Sequence, residues 1–389
     1  MLVNTKSPCT KYEWGLLMRL VALDTTSEER RNFDVMANLL VEEAKKIGLS
    51  ADCVVDENGI PHVVVSLPDA PKMGKKILFV THYDVVPAGE GWDFDPFKPF
   101  IKEGKLFGRG SADDKSNIAA AFAAFKEILD ERLPVENNSV LVIAGGEETG
   151  HGASFFQRLE GDIGVILDSG CAGLSIGASG VVRLKVKVLG KQAHSAYPFL
   201  GRNSIYDAAK IILFVEQFSR EIEKRVLSKF NAPSNYDKAP RRVNITMINA
   251  GVAPNTIPAE CSLTIDMRTI PEEDVDAAAM EVKEAIERYA KENDVNVIVE
   301  VGEKMKGWYT TDRNVIKFFQ RILEEITGKK AKVVVELGAT DGIFFIDRMP
   351  VIQFGTMRDE NNVHGKNEFV YLEDVELVKE FVKRTITSK

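Results

Sequence analysis

Two of the five histidines lie among acidic residues at positions that suit metal binding. His82 and Asp84 are two positions apart, just after an apolar run at 76–80. An imidazole at this point could bind a cation while the neighbouring carboxylate accepts its other N–H. The alternative is a histidine in a turn with an acid beside it, which a His-x-Asp pair alone does not exclude.

A pair of adjacent acids follows a second apolar run, at 140–144. Glu147 and Glu148 would repel each other unless a cation or a shared proton compensates. One of them could bind a metal while the other holds a proton near neutral pH, as a metal-assisted hydrolysis requires. The alternative is an exposed acidic turn.

Asp113 lies in a glycine-containing segment, GRGSADDK at 108–115, directly before an alanine-rich helical pattern. The alternative role is capping of that helix by Asp113 or Asp114. A phosphate-binding loop fits less well, because the segment lacks the GK[ST] ending and puts acids where a phosphate would bind.

Asp168 and His364 complete a set of imidazoles and carboxylates at the ends of predicted strands. Ligand sites of open α/β sheets lie beyond the carboxyl ends of the strands, so these side chains are expected to converge. Nitrogen and oxygen ligands without thiolate suit zinc, cobalt or manganese. The ligands suffice for two divalent cations if one carboxylate bridges them, and such a pair would polarise a carbonyl group.

Apolar runs without alternation are typical of strands buried on both faces. The runs lie at 76–80, 140–144, 163–167 and 351–354. Helical patterns lie between them, at 33–46, 118–129 and 315–326. Strands that alternate with helices predict an α/β fold with a mixed, mostly parallel sheet flanked by helices.

The middle of the chain shows a different pattern. A β-α-β-β-α-β order over 182–301, in which Pro271 opens the second helix, matches a ferredoxin-like module. A chain of 389 residues also exceeds one small core. We therefore predict an inserted α+β domain at 181–303 and a catalytic, metal-binding domain formed by 1–180 and 304–389.

Composition argues against several classes of protein. The chain has 50 Lys and Arg against 58 Asp and Glu, a net charge of −8, which disfavours binding to nucleic acid or anionic membranes. No apolar run reaches the roughly 18 residues of a membrane span. Residues 1–10 lack the apolar core of a secretory signal. The four cysteines form no CxxC pair, so reduced thiols in the cytoplasm are expected.

Five segments, in their order and spacing, resemble a known family of dinuclear zinc peptidases and amidohydrolases. The family includes acetylornithine deacetylase, succinyl-diaminopimelate desuccinylase, glutamate carboxypeptidase and aminoacylase. The segments are THYDVVP at 81–87, GRGSADDK at 108–115, GGEETG at 145–150, GKQAHSAYP at 190–198 and HGKNEF at 364–369. The resemblance implies a zinc-exopeptidase-like fold and two divalent metal ions per subunit, Zn²⁺ or alternatively Co²⁺ or Mn²⁺.

The resemblance also implies a role for each residue of the set. Metal ligands are implied at His82 and Asp168 for one ion, at Glu148 and His364 for the other, and at Asp113 for both. Asp84 would orient His82, and Glu147 would be the general base that deprotonates the attacking water. The peptide bond between Asp113 and Asp114 would be cis.

In the inserted domain, the resemblance implies a role in dimerisation and as a lid. His194 matches a histidine that reaches across the dimer interface and stabilises the oxyanion. Asn255 and Arg268 match positions that contact substrate, and Arg268 could hold a carboxylate with two hydrogen bonds. The alternatives are a surface histidine in a loop for His194 and a salt bridge on a strand for Arg268.

These features predict a metal-dependent hydrolase of carboxypeptidase or dipeptidase type, which cleaves amide bonds of small substrates with a free carboxylate. Asp168 favours a peptidase, since the family's deacylases more often have Glu there. Ile343 stands where the desuccinylases have Arg. The alternatives are an N-acyl-amino-acid deacylase, of acetylornithine deacetylase or succinyl-diaminopimelate desuccinylase type, and a catalytically silent metal- or peptide-binding protein. A homodimer is implied.

Overall fold

The computed structural model describes residues 11–68, 74–233 and 236–389. Cys9 and the segment 1–10, on which the expectation about a secretory signal rests, lie outside the described residues. The α-helices are α1 (Tyr12–Val21), α2 (Phe33–Lys46), α3 (Lys115–Asp130), α4 (Ala153–Phe156), α5 (Ser204–Arg225), α6 (Val275–Glu292), α7 (Arg313–Thr327) and α8 (Leu372–Thr387). Within the described ranges, none of them combines the length and the apolar character needed to cross a membrane.

The strands are β1 (Ser50–Val55), β2 (Pro61–Ser66), β3 (Lys76–His82), β4 (Phe100–Lys102), β5 (Lys105–Phe107), β6 (Asn138–Ala144), β7 (Ile163–Ile166), β8 (Leu174–Ala178), β9 (Gly180–Leu189), β10 (Ala193–His194), β11 (Leu227–Asn231), β12 (Lys238–Pro240), β13 (Arg242–Ala250), β14 (Thr256–Ile257), β15 (Glu260–Thr269), β16 (Asn296–Met305), β17 (Trp308–Tyr309), β18 (Val333–Glu336), β19 (Val351–Gln353) and β20 (Phe369–Tyr371). The chain divides into two compact units. The first unit comprises Met1–Ile176, Thr310–Val333 and Phe344–Lys389, and the second comprises Gly177–Tyr309 and Val334–Ile343.

The first unit is built on a mixed sheet with a parallel centre. Its strands follow the order β1-β2-β6-β3-β7-β19-β8. Strand β3 runs parallel to both β6 and β7, and β7 runs parallel to β19. The outer strands β1 and β2, and β8 on the other side, pair antiparallel with their neighbours. This confirms the α/β fold with a mostly parallel sheet.

Burial of the central elements follows the sequence pattern. Every residue of β3 from Ile77 to His82 is buried, as an apolar run without alternation predicts. Helix α3 is buried from Lys115 to Phe125, and its alanines allow it to pack closely. It contacts β3, α1 and α8. The ends of β3 and α3 are therefore held by rigid, packed elements.

The second unit is an antiparallel sheet with helices on one face. Its strands follow the order β13-β15-β9-β16, and α5 and α6 pack against them. Along β9, Val182, Leu184 and Val186 are buried in the core of this unit. The principal elements follow the chain order β9-α5-β13-β15-α6-β16, as the ferredoxin-like pattern predicts.

One boundary in this unit differs from the sequence-based expectation. Helix α6 begins at Val275 and not at Pro271. The side chain of Asp274 accepts hydrogen bonds from the backbone N–H groups of Asp276 and Ala277, at 2.8 and 2.9 Å. An aspartate cap of this kind defines a helix start more strongly than a proline a turn earlier.

Candidate metal centre

His82 is the last residue of β3, and its imidazole is buried. Its Nδ1 lies 3.0 Å from the backbone carbonyl oxygen of Asp84, to which it donates. Its Nε2 lies 3.1 Å from Asp113 Oδ1. The contact at Nδ1 therefore fixes the orientation of the ring and leaves Nε2 as the nitrogen available to a metal.

The carboxylate of Asp84 anchors the loop that carries the acidic pair. Its Oδ1 accepts the backbone N–H of Glu147 at 3.1 Å, and its Oδ2 accepts that of Glu148 at 3.2 Å. Ser27 Oγ also donates to Oδ2. Asp84 Oδ1 lies 3.6 Å from His82 Nδ1, and this nitrogen donates instead to the backbone carbonyl oxygen of Asp84. Asp84 thus contacts both His82 and the two glutamates.

Asp113 lies between two histidines. Its Oδ1 is 3.1 Å from His82 Nε2, and its Oδ2 is 3.0 Å from His364 Nε2. The peptide bond between Asp113 and Asp114 is cis, which agrees with the sequence resemblance. A carboxylate whose two oxygens face separate imidazoles has the arrangement needed to bridge two cations.

The second half of the centre consists of His364 and Glu148. His364 Nε2 lies 3.1 Å from Glu148 Oε2 and 3.0 Å from Asp113 Oδ2. The backbone of His364 has a φ of 61°, in the left-handed region that is uncommon for residues other than glycine. Its loop therefore holds a backbone conformation that must be stabilised by the surrounding contacts.

The remaining acids surround His82. Asp168 Oδ2 lies 3.8 Å and Glu147 Oε2 lies 3.9 Å from His82 Nε2. Asp168 follows β7, which is the parallel neighbour of β3, so the adjacent strand ends bring these side chains together. Two sets of three residues each offer ligand atoms that all lie within 4.8 Å of one another. One set is His82, Glu147 and Asp168, and the other is His82, Asp113 and Glu148.

The charges of the centre are mutually dependent. Burial alone would lower the pKa of His82, but attraction to the carboxylates of Asp113 and Asp84 outweighs it and holds the pKa well above its usual value. Hydrogen bonds to Asp113 and Glu148 raise the pKa of His364 to about 10. Burial raises the pKa of Glu148. Without a cation, both imidazoles therefore carry protons that offset part of the carboxylate charge.

The residues present fit a metal site. Glu148 Oε1 is buried and has no hydrogen-bond partner within the described part of the chain, so this oxygen retains an unused lone pair. The remaining donors are carboxylate oxygens and imidazole nitrogens, which suit divalent transition metals. The cluster of acids would be costly to bury without positive charge, and a pair of divalent cations would supply it.

Three side chains of the predicted site belong to the second unit. His194 is exposed, and its Nδ1 accepts the backbone N–H of Ala196 at 3.1 Å, which leaves Nε2 as a donor. Asn255 is also exposed, and its backbone carbonyl accepts the N–H of Ser195 at 2.9 Å, so it lies next to His194. Arg268 donates from Nε to Asp266 Oδ1 at 2.7 Å.

Some buried side chains that support the centre are not identified from the sequence. Ser27 contacts the Asp84 carboxylate. His62 stacks on Phe155 and accepts the backbone N–H of Gly145 at 3.3 Å, at the start of the loop that carries the acidic pair. Glu368 lies within the HGKNEF segment without an assigned role, and its position as a charged residue directly before the buried strand β20 is the signal that could have identified it.

Comparisons with known proteins agree with the resemblance. The model of Peptidase family M20/M25/M40 matches residues 78–388. Succinyl-diaminopimelate desuccinylase of Nitrosomonas eutropha is 28% identical over 332 residues, which cover 80% of this chain and 83% of that protein. The corresponding desuccinylase of Nitrosomonas europaea is 29% identical over 328 residues, with coverage of 80% and 82%.

Solved structures share the fold over almost the whole chain. A tripeptidase from Staphylococcus aureus superposes with a TM-score of 0.77 at 21% identity, and covers 97% of each chain. The M20 family metallo-carboxypeptidase Sso-CP2 from Sulfolobus solfataricus has a TM-score of 0.75 at 19% identity, with coverage of 97% and 99%. The chain therefore belongs to Peptidase family M20/M25/M40, a family of metal-dependent hydrolases that act on amide C–N bonds.

Proposed function

We propose that the chain is a two-metal hydrolase of carboxypeptidase or dipeptidase type, which cleaves amide bonds of small substrates with a free carboxylate. The observation that supports this most directly is the position of Asp113, whose two carboxylate oxygens face His82 and His364 at 3.1 and 3.0 Å. In this proposal His82 and Asp168 would hold one cation, Glu148 and His364 would hold the other, and Asp113 would contribute to both. When bound, the metal pair would polarise the substrate carbonyl and make a water molecule in the site more acidic.

Zn²⁺ is the metal we propose, with Co²⁺ and Mn²⁺ as alternatives that the same donors accept. The donors are carboxylate oxygens and imidazole nitrogens, without thiolate. The ring orientation of His82, fixed by the carbonyl of Asp84, and the salt bridges of His364 preorganise both imidazoles. Metal analysis of protein purified without added metal, followed by reconstitution with each ion, would identify the native one.

Glu147 is the proposed general base. Its backbone is held by Asp84, and its half-buried carboxylate has Oε2 3.9 Å from His82 Nε2. In this role it accepts the proton of the attacking water and then delivers it to the leaving nitrogen. The neighbouring Glu148 is more deeply buried and faces His364, which supports a different role for each member of the acidic pair.

We assign substrate contacts to the second unit. His194 would donate from Nε2 to the oxyanion, and its Nδ1, which accepts the N–H of Ala196, leaves Nε2 as the donor. Asn255, beside it, would contact the substrate. Arg268 would bind the free carboxylate of the substrate, in competition with its present partner Asp266.

An exposed apolar surface on the second unit supports a homodimer, in which His194 would act on the partner's site. The edge strand β13 exposes Met247 and Ile248, and helix α5 exposes Tyr206 and Leu213. Apolar side chains on an edge strand and an adjacent helix are typical of a surface covered by a partner.

We propose a cytoplasmic location, since Cys53, Cys171 and Cys261 are free thiols.

A deacylase is the second candidate, because the similar curated proteins are desuccinylases. A screen of metal-loaded enzyme on dipeptides, longer peptides, N-acetyl amino acids and N-succinyl amino acids separates the two. Turnover that requires a free carboxylate and a peptide bond supports the primary proposal, and turnover confined to N-acyl amino acids supports the deacylase. Stoichiometric metal without turnover on any of these substrates would indicate a binding protein and contradict both.

A further inference from the structure

A buried ion pair connects two of the loops that carry proposed ligands. The side chains of Arg109 and Glu368 are 1% and 0% exposed, and Arg109 Nη1 donates to Glu368 Oε2 at 2.6 Å. A buried ion pair is weak grounds for fold stability, because desolvation of both charges offsets their attraction. The groups that each member holds in place are therefore more informative than the pair itself.

Glu368 holds the segment that ends at Asp113. Its Oε2 accepts the backbone N–H of Gly110 at 2.9 Å. Its Oε1 accepts the N–H groups of Ala112 and Asp113, at 2.9 and 3.1 Å. One carboxylate thus satisfies three buried backbone donors, which would lose their partner if it were removed. The direction in which the side chain of Asp113 points therefore depends on these hydrogen bonds.

Arg109 holds the segment that contains His364. Its Nη2 donates to the backbone carbonyl oxygen of Gly365 at 2.9 Å, one residue after the histidine. His364 has a φ of 61°, so its backbone relies on contacts of this kind. Asn367 also ties this loop to Asp93. Its Nδ2 donates to Asp93 Oδ2 at 2.7 Å, and its Oδ1 accepts the backbone N–H of Asp93 at 3.0 Å.

We propose that the Arg109–Glu368 pair is a positioning device that sets the separation of Asp113 and His364, and thereby controls occupancy of the second metal position. This inference rests on the proposed two-metal function. The first position shares Asp113 but depends less on the pair, because its other two ligands, His82 and Asp168, come at the ends of strands β3 and β7. Both elements are held by the sheet, whereas two of the three ligands of the second position lie in loops that the pair connects.

The test is a titration of the metal-free chain with Co²⁺, followed by visible absorption and by equilibrium dialysis. The first variant, Glu368→Gln, replaces one carboxylate oxygen with an amide N–H₂ group, which cannot accept the hydrogen bonds that this oxygen now accepts. The second variant, Arg109→Lys, keeps the positive charge but loses the hydrogen bond to the carbonyl oxygen of Gly365. The wild-type chain is expected to bind two Co²⁺ ions. Each variant is expected to bind the first with less than about a threefold change and the second about 10- to 100-fold more weakly.

Glu13→Gln is the matched control, since Glu13 is also a buried carboxylate, paired with Lys379 at 3.3 Å. These residues lie on α1 and α8, which carry none of the proposed ligands, so the control should lower the melting temperature and leave both affinities unchanged. Equal weakening of both positions, unchanged affinities, or loss of folding in both variants would overturn the proposal. A wild-type chain that binds only one Co²⁺ would refute the two-metal function itself, and the inference with it.

Discussion

Metal binding to the centre should release protons. In the metal-free protein, hydrogen bonds to Asp113 and Glu148 raise the pKa of His364 to about 10. The pKa of His82 is also raised, because contacts with Asp113 and Asp84 outweigh the opposing effect of burial. Both imidazoles are therefore protonated at pH 7, whereas a metal ligand must be a neutral imidazole.

The expected magnitude is one proton for each histidine, hence about two protons for a pair of cations. Protons compete with the metal at every pH below the raised pKa, and this competition fades as the pH rises through it. Each displaced proton makes binding about tenfold tighter per pH unit in that range, so the affinity of the position that contains His364 should rise about 100-fold between pH 6 and pH 8. His364 is 54% exposed, and this expectation requires only that its pKa lie above 8.

Calorimetric titration with Zn²⁺ in two buffers of different ionisation enthalpy measures the number of protons released. His364→Asn should reduce this number by one and weaken the second position. His194→Asn is the matched control, because His194 lies outside the cluster and its replacement should leave the number unchanged. Binding without proton release, or an affinity that stays constant between pH 6 and pH 8, would refute the reasoning.

Three substitutions test other parts of the site. Glu147→Gln should reduce kcat by about 10²- to 10⁴-fold and leave two metals bound, as metal analysis can show, and loss of metal would instead make Glu147 a ligand. His194→Ala should reduce kcat by about 10²- to 10³-fold without changing the metal content. If light scattering shows that the wild-type protein is a monomer and this monomer is fully active, the proposed role of His194 is contradicted. Ser27→Ala removes a donor to the buried Asp84 carboxylate and should lower the free energy of unfolding by about 1–3 kcal/mol in a urea titration, whereas an unchanged midpoint would mean that the bond contributes nothing.

The sheet and its principal helices could be predicted from local patterns. The run at 76–80 lacks alternation, and β3 is buried from Ile77 onward. The alanine-rich pattern at 118–129 falls within α3. Because His82, the acidic pair and Asp168 come at the ends of β3, β6 and β7, their convergence follows from the geometry of a parallel sheet, whereas Asp113 and His364 lie in loops. The six side chains of the predicted centre indeed lie close together, whereas their individual roles remain predictions.

The supporting contacts could not be predicted in the same way. Glu368 accepts hydrogen bonds from residues more than 250 positions earlier in the chain, and no local pattern encodes such pairing. The carboxylate of Asp84 holds the backbone of both glutamates as well as lying beside His82, and the HYD segment alone indicates only the second contact. Pro271 is a misleading signal for the start of α6, because the capping side chain of Asp274 determines where the helix begins.

A crystal structure with Zn²⁺, with anomalous diffraction data collected at the zinc edge, is the most direct test of the two-metal centre. The proposal predicts two anomalous peaks about 3.5–4 Å apart, with one carboxylate oxygen of Asp113 directed at each. One peak should contact His82 and Asp168, and the other Glu148 and His364. A single peak, or two peaks that Asp113 does not bridge, would contradict the central claim.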